Sequence, residues 1–192
     1  IMQYNFLDKF TSIFIVCLSY TLILLSWYYF YTNFGLQKKS LLFFFPYGVI
    51  VLSYIFFNNK IIFSLLASQI IFYLILQNYN LELPFNNYFV LSLCQLICMP
   101  VTLFVLQKFS ITVGVGTNYK LDKTNIYHVL LIVFISTIFL GIFIILSSIF
   151  FKNQINLLSF VTGNFLGGAI FIIGIKLVVN IPTLIKEKFK TN

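Results

Sequence analysis

Six apolar blocks, separated by short polar segments, make up most of this chain. The first, residues 10–31, contains no charged side chain, and about 20 apolar residues suffice for a helix to cross the ~30 Å hydrocarbon core of a bilayer. Backbone groups in lipid must bond to one another, which helices achieve within one segment. We therefore predict an all-α fold, a polytopic membrane helix bundle that forms one integral membrane domain over residues 1–192. The other five predicted transmembrane helices are residues 41–57, 61–76, 88–106, 126–151 and 155–179.

The charge balance of the chain supports a membrane location and argues against a nucleic-acid partner. Charged residues make up 8% of the sequence and apolar residues 60%, whereas soluble domains carry about 25% charged residues. All 12 basic residues are lysines, and the net charge is +8. These lysines lie in short loops and tails, unlike the clustered basic face of a nucleic-acid-binding protein. The lipid bilayer is the predicted partner of most of the surface.

The distribution of lysines predicts the orientation of the chain in the membrane. An even number of spans places both termini on the same side, and cytoplasmic loops carry an excess of Lys and Arg. The side of the termini holds Lys9, Lys60, Lys108, Lys120, Lys123, Lys186, Lys188 and Lys190. The opposite side holds Lys38, Lys39 and Lys152. Both termini are therefore predicted to be cytoplasmic. The membrane is predicted to be a bacterial inner membrane, with an organellar inner membrane as the alternative, because the Ile-, Phe-, Asn- and Lys-rich composition suits an AT-rich genome of either kind.

A proline and a glycine interrupt the second block. Residues 42–48 read Leu-Phe-Phe-Phe-Pro-Tyr-Gly, and a proline inside a helix frees a carbonyl and bends the chain. With the predicted orientation, the proline lies roughly 8 Å from the outer face, at about 1.5 Å per residue. Pro46, Tyr47 and Gly48 then form either a packing joint, where a kinked helix meets another helix, or part of a ligand cavity.

The sixth block contains a stripe of small residues. Ser159, Gly163, Gly167 and Gly174 fall within a sector about 80° wide, at about 100° per residue. Small residues let a second helix backbone approach closely in lipid. Asn164 lies in the same stretch, roughly 13 Å from the outer face. The Pro-Gly break and this stretch both fall in the outer half of the membrane.

Three side-chain amides are the candidates for buried polar groups. Gln69, Gln95 and Asn164 lie inside apolar blocks, where an unpaired polar group is costly. Each is predicted to face the bundle interior, where it either bonds to another helix or lines a ligand or solute path. If their helices face one another, the three amides form one polar cluster. His128 and Lys176 lie near the ends of their blocks, from which long or amphipathic side chains reach water.

The chain lacks the residue constellations that catalysis or metal binding require. The three cysteines lie inside apolar blocks with no histidine nearby to complete a metal site, and they are predicted to be packing residues. All acidic residues lie in loops or tails, which disfavours an ion-coupled pump. They are Asp8, Glu82, Asp122 and Glu187. We predict that the protein is not an enzyme and carries no metal and no cofactor.

Short motifs in the second, fifth and sixth blocks carry a family resemblance. Residues 44–48 read Phe-Phe-Pro-Tyr-Gly and are followed by Lys60 and an apolar helix with small residues. Residues 121–124 read Leu-Asp-Lys-Thr before the fifth block, and residues 163–167 read Gly-Asn-Phe-Leu-Gly. Over residues 40–180 the chain resembles the membrane-associated sensor (MASE-type) domain of bacterial signalling proteins. That family has an early aromatic-Pro-x-Gly segment, a charged linker before a late helix, and a Gly-Asp-x-x-Gly stretch near its end.

Two departures from the family bear on what the resemblance implies. Asn164 stands where the family has an acidic residue, so a role for a buried charge at this position is lost. The family usually has more spans and a histidine kinase or cyclic-dinucleotide output domain, whereas this chain ends soon after its sixth block. The resemblance therefore implies a sensor that signals through a separate partner.

Three hypotheses for the function follow. The first is a non-enzymatic sensor or ligand-binding membrane module, which binds a small ligand or a partner helix around the Pro46–Gly48 and Gly163–Gly167 segments and acts through a protein partner in the membrane or cytoplasm. The second is a structural or accessory subunit of a respiratory or transport complex, which the aromatic content of 20% suits equally well. The third is a small-solute permease component, which the lack of a charged path disfavours.

Overall fold

The structure, a computed structural model, describes residues 2–33, 44–77, 85–109, 126–151 and 157–190. Within these ranges it contains helices joined by short turns and no strand, which confirms the all-α prediction. The six helices are α1 (Met2–Asn33), α2 (Pro46–Phe57), α3 (Ile62–Gln77), α4 (Phe85–Lys108), α5 (Ile126–Phe151) and α6 (Leu157–Lys190). A 3₁₀-helical turn, Asn58–Ile61, joins α2 to α3. Several helices extend a few residues beyond the predicted blocks, as α4 does at both ends. The rest of the predicted loops, including the 121–124 segment of the family resemblance, lies outside the described residues.

Four of the helices are long and apolar enough to cross a membrane, so this chain is a membrane protein. Their apolar windows are Ile13–Phe30, Tyr88–Lys108, Ile126–Ser147 and Leu157–Val179. The helices α2 and α3 are shorter, at 12 and 16 residues. At about 1.5 Å per residue they measure about 18 and 24 Å, less than the ~30 Å core of a bilayer.

The position of Pro46 differs from the prediction. Pro46 is the first residue of α2 and lies in no helix interior, so the predicted kink inside the second span is wrong; at the first helical position a proline loses no hydrogen bond. Pro100 of α4 does lie inside a helix, and so does Pro182 of α6, which continues to Lys190.

The short helix α2 forms the centre of the bundle. All ten residues from Pro46 to Ile55 are buried, and a helix that is apolar and buried on every side is typical of a core position. Its most extensive neighbour is α6, and it also contacts α1, α4 and α5. The remaining helices pack as a surrounding layer, with α4 against α5, α5 against α6, and α1 against α3.

Serine hydroxyls connect α1 to α3. Ser64 Oγ donates to the backbone oxygen of Ile13 at 2.7 Å, and Ser68 Oγ lies 3.0 Å from the backbone oxygen of Cys17. Both serines are buried. Small hydroxyl residues at such positions allow helices to approach closely and satisfy the hydroxyl without water.

The outward faces of the long helices are apolar. Phe14 and Ile15 of α1 are each 59% exposed, and α4, α5 and α6 carry similar side chains. A continuous apolar surface of this kind would promote aggregation in water, whereas it is the expected surface in contact with lipid tails. The larger exposed apolar side chains of these three helices include Ile97, Phe104, Phe134, Ile138, Ile142, Ile145, Leu146, Ile170 and Leu177.

Candidate functional site

The start of α2 lies directly on the glycines of α6. The backbone N–H of Phe44 donates to the backbone oxygen of Gly163 at 2.9 Å. A Cβ atom added at Gly167 would lie 2.3 Å from the nitrogen of Phe44 and 2.4 Å from its carbonyl carbon. One added at Gly48 would lie 2.7 Å from the ring of Phe171. The backbone at the start of α2 touches the backbone of α6 at this point. The contact is therefore a packing joint with no space for a ligand between the two segments.

The predicted stripe of small residues is only partly used in this joint. Gly163 and Gly167 contact Phe44, and Gly168, which the stripe did not include, packs against Tyr47 and the side chain of Val133. Gly174 has no atom within 4 Å of a Cβ position, so its predicted role in a close helix contact is wrong. Two crossing helices diverge on either side of their closest approach, and Gly174 lies two turns beyond it. It borders a shallow apolar groove of about 380 Å³ lined by Phe45, Phe171, Gly174, Ile175, Val178 and Val179.

The three predicted amides meet in the interior of the bundle. The Nε2 group of Gln95 on α4 donates to Asn164 Oδ1 on α6 at 3.3 Å. Gln69 Nε2 on α3 lies 3.5 Å from Gln95 Oε1 and 3.1 Å from the Tyr20 hydroxyl on α1. All four side chains are at most 6% exposed. We refer to Tyr20, Gln69, Gln95 and Asn164 as the amide chain.

A single backbone carbonyl fixes the direction of every bond in the amide chain. Asn164 Nδ2 donates to the backbone oxygen of Phe160 at 2.7 Å, so its Oδ1 must face Gln95. Gln95 then presents Nε2 to Asn164 and Oε1 to Gln69, which in turn presents Nε2. Reversing any one amide would oppose two oxygens or two NH₂ groups, since an amide oxygen only accepts and an amide nitrogen only donates. The series of hydrogen bonds ends at the Tyr20 hydroxyl, which accepts from Gln69 Nε2.

The order of donors and acceptors in the amide chain leaves one buried acceptor without a donor. Gln69 uses Nε2 for both of its bonds, and its Oε1 is buried with no hydrogen-bond partner among the described residues. In native proteins the large majority of buried polar atoms have a partner, so an exception calls for a physical explanation.

A second set of polar contacts anchors α2 to α4. The Tyr47 hydroxyl lies 3.1 Å from Cys98 Sγ, and Cys98 Sγ donates to the backbone oxygen of Gln95 at 3.0 Å. Two helical turns further along α2, the Tyr54 hydroxyl donates to the backbone oxygen of Leu96 at 3.0 Å. These bonds join the α2–α6 packing joint to the amide chain through α4.

The buried polar side chains of the described part of the chain are all uncharged. They are Ser53, Ser64, Ser68, Gln69, Ser92, Gln95, Thr102, Ser136, Thr137 and Asn164. His128 is exposed near the start of α5, and Lys176 is half-buried on α6. Within the described ranges, no three His, Cys, Asp or Glu side chains lie close enough to hold a metal ion. The interior can therefore bond to neutral polar groups and offers no counter-charge to an ion.

Sequence reasoning found the amides but missed the aromatic and thiol members of the site. Tyr20, Tyr54 and Cys98 lie in apolar blocks rich in aromatic residues, and nothing in their spacing separates a buried hydrogen-bonding tyrosine from one at the membrane interface. No protein-family profile matches the chain, and no curated protein or solved structure matches it. What the site does must therefore be argued from its own residues.

Proposed function

We propose that this chain is a non-enzymatic membrane module that binds a small ligand at the amide chain and passes the signal to a partner protein. One observation carries the proposal: a single line of hydrogen bonds connects α1, α3, α4 and α6. A ligand that changes one bond in this line shifts several helices together, and a ligand can bias two conformations only through such differential contacts.

The packing joint supports the same proposal. The Phe-Phe-Pro-Tyr-Gly and Gly-Asn-Phe-Leu-Gly segments, on which the resemblance to membrane-associated sensor domains depends, lie against each other through Phe44 and Gly163. Asn164 belongs to one of these segments and is also a member of the amide chain. A change at the amide chain is therefore transmitted directly to the start of α2.

The proposed topology has six transmembrane segments, with α2 and α3 as short spans and both termini in the cytoplasm. The excess of lysines on the side of the termini supports this orientation, and the corresponding membrane is a bacterial inner membrane or an organellar inner membrane. We expect a green fluorescent protein fused after Asn192 to fluoresce in a bacterial host, and alkaline phosphatase at the same point to be inactive. Active phosphatase would overturn the orientation.

Asn164 is the residue with which to test ligand binding. We expect some members of a panel of small neutral solutes, alcohols and amides of a few heavy atoms, to raise the melting temperature of the detergent-purified protein by several degrees. Asn164→Leu should abolish that response because it removes the donor and acceptor that end the amide chain. The matched control is Thr162→Val on the same helix, whose hydroxyl bonds only within α6 and which should respond like the parent. An equal response of the leucine variant would contradict the proposal.

A specific observation favours a structural or accessory subunit as the second candidate. The buried face of α1 is a narrow stripe, Val16, Tyr20 and Leu24, and only 17% of its membrane-spanning window is buried. The wide remaining face is available to a neighbouring subunit as well as to lipid. A subunit of a larger complex should co-purify with fixed partners after mild solubilisation, so recovery of a clean monomer would rule out this candidate.

A further inference from the structure

The amide chain ends on an acceptor that the described residues do not fill. Gln69 is 2% exposed, and its Oε1 has no hydrogen-bond partner. Rotating the Gln69 amide does not remove the problem, because Oε1 would then face Gln95 Oε1 at the position that Nε2 now occupies, 3.5 Å away. An unsatisfied buried acceptor costs about 1–3 kcal/mol, and the cost disappears if a donor reaches it.

A molecule that donates a hydrogen bond to Gln69 Oε1 must be uncharged. Every buried polar side chain in the described interior is neutral, and an ion there would have no compensating charge within the hydrocarbon core. Such burial is strongly unfavourable unless the charge is paired. A cationic donor such as an ammonium group is therefore excluded, although it would bond well to a carbonyl oxygen.

The guest is also small. The neighbours of Gln69 on the inner face of α3, Leu65 and Ser68, are fully buried at 0% exposure, as is Tyr20 across the α1–α3 contact. A single water needs only about one probe sphere of space, roughly 10–15 Å³, together with polar partners. The dense surroundings therefore admit a molecule of one to a few heavy atoms.

We infer that Gln69 Oε1 is the acceptor of an internal site for one small, neutral O–H or N–H donor, such as water or a small alcohol or amide. The inference rests on the proposed function, because it names the chemical class of ligand that the amide chain takes. Occupation of the site completes the hydrogen bonding of Gln69 and stabilises the arrangement of α1, α3 and α4. Loss of the guest leaves the acceptor unpaired and favours any arrangement in which Gln69 finds another donor.

Solid-state NMR on the full chain in liposomes tests this site directly. The protein is labelled with ¹³C-glutamine, and magnetisation is transferred from water protons to the side-chain carbonyl carbons. Gln77 and Gln107 are exposed and serve as positive controls, while Gln95, both of whose polar atoms bond within the amide chain, is the buried negative control. The chain has six other glutamines, at positions 3, 37, 77, 95, 107 and 154. Single Gln→Met variants at these six positions identify the Gln69 signal by elimination, even if Gln69→Met itself does not fold.

Each result bears on the inference. Transfer from water to Gln69 several times that to Gln95 supports the site with water as its occupant. If water gives none, the sample is moved to D₂O and the methyl protons of added acetamide become the source; transfer from them to Gln69 supports an organic donor. Absence of transfer from both probes overturns the inference. It would leave the Asn164 thermal-shift result unaffected, so failure of this site and failure of the proposed function are distinguishable.

Discussion

Gly167→Ala should destabilise the protein by about 3 kcal/mol, the upper end of the usual cost of overpacking a close contact. The added methyl carbon would lie 2.3 Å from the nitrogen of Phe44, 2.4 Å from its carbonyl carbon and 2.7 Å from its oxygen. These atoms belong to the backbone and cannot rotate away, so relief requires moving the start of α2 off α6. That movement also breaks the bond between Phe44 N–H and the Gly163 oxygen. Unfolding by SDS titration in mixed micelles measures the change.

Gly174→Ala is the matched control for this substitution. It makes the same chemical change on the same helix, at a position where nothing lies within 4 Å of the new carbon. Stability should stay equal or rise slightly, since alanine favours a helix over glycine by up to about 1 kcal/mol. If the two variants unfold at the same SDS fraction, the backbone contact between Phe44 and Gly167 does not exist in the folded protein.

Gln95→Met should cost about 2 kcal/mol, because Gln95 is the middle link of the amide chain. The substitution keeps the length of the side chain and removes both of its bonds, to Gln69 and to Asn164. Asn164 Oδ1 then loses its donor, and an orphaned buried acceptor costs about 1–3 kcal/mol, whereas Gln69 Nε2 keeps its bond to Tyr20. Interhelical hydrogen bonds in membranes average only about 0.6 kcal/mol, because helices in lipid find other partners; the value of about 2 kcal/mol allows for partial relief of this kind.

The control is Gln107→Met, on the same helix but exposed in its last turn. It should unfold like the parent protein. The double variant Gln95→Met/Asn164→Leu should lose less than the sum of its two single variants, since the two residues share a bond and neighbours in one network are not additive. Strict additivity would show that the bond contributes nothing to stability.

The helices were predictable because a chain in lipid has few alternatives. Each of the six apolar blocks corresponds to a helix, and the fifth block, residues 126–151, coincides with α5. The meeting of Gln69, Gln95 and Asn164 was predicted only as a condition on how the helices face one another. Polar side chains inside apolar segments tend to bond to one another, because leaving them unpaired in lipid is costly. This tendency can be read from the sequence.

The features of the fold and the site that were not predicted depend on tertiary geometry, which the spacing of apolar residues along the sequence does not determine. The start of α2 at Pro46, in place of a longer kinked helix, follows from the backbone contact with α6. The use of Gly168 and not Gly174 reflects where the two helices cross. The directions of the amide bonds depend on a backbone carbonyl of Phe160, which any residue could have supplied. That six segments all cross the membrane, with both ends in the cytoplasm, stays a prediction.

The contact between Phe44 and Gly163 also constrains how the protein is made. Ribosomes deliver α2 before α6, so the central helix of the bundle must wait for α6 before it gains its backbone partner. Until then a helix of 12 residues, too short to be a stable independent span, depends on provisional neighbours. We expect nascent chains that stop before α6 to be substrates for membrane proteases, and pulse-chase labelling should show them cleared much faster than chains that include α6. The core of this bundle is therefore completed only once α6 has been made, and α6 decides whether α2 is retained.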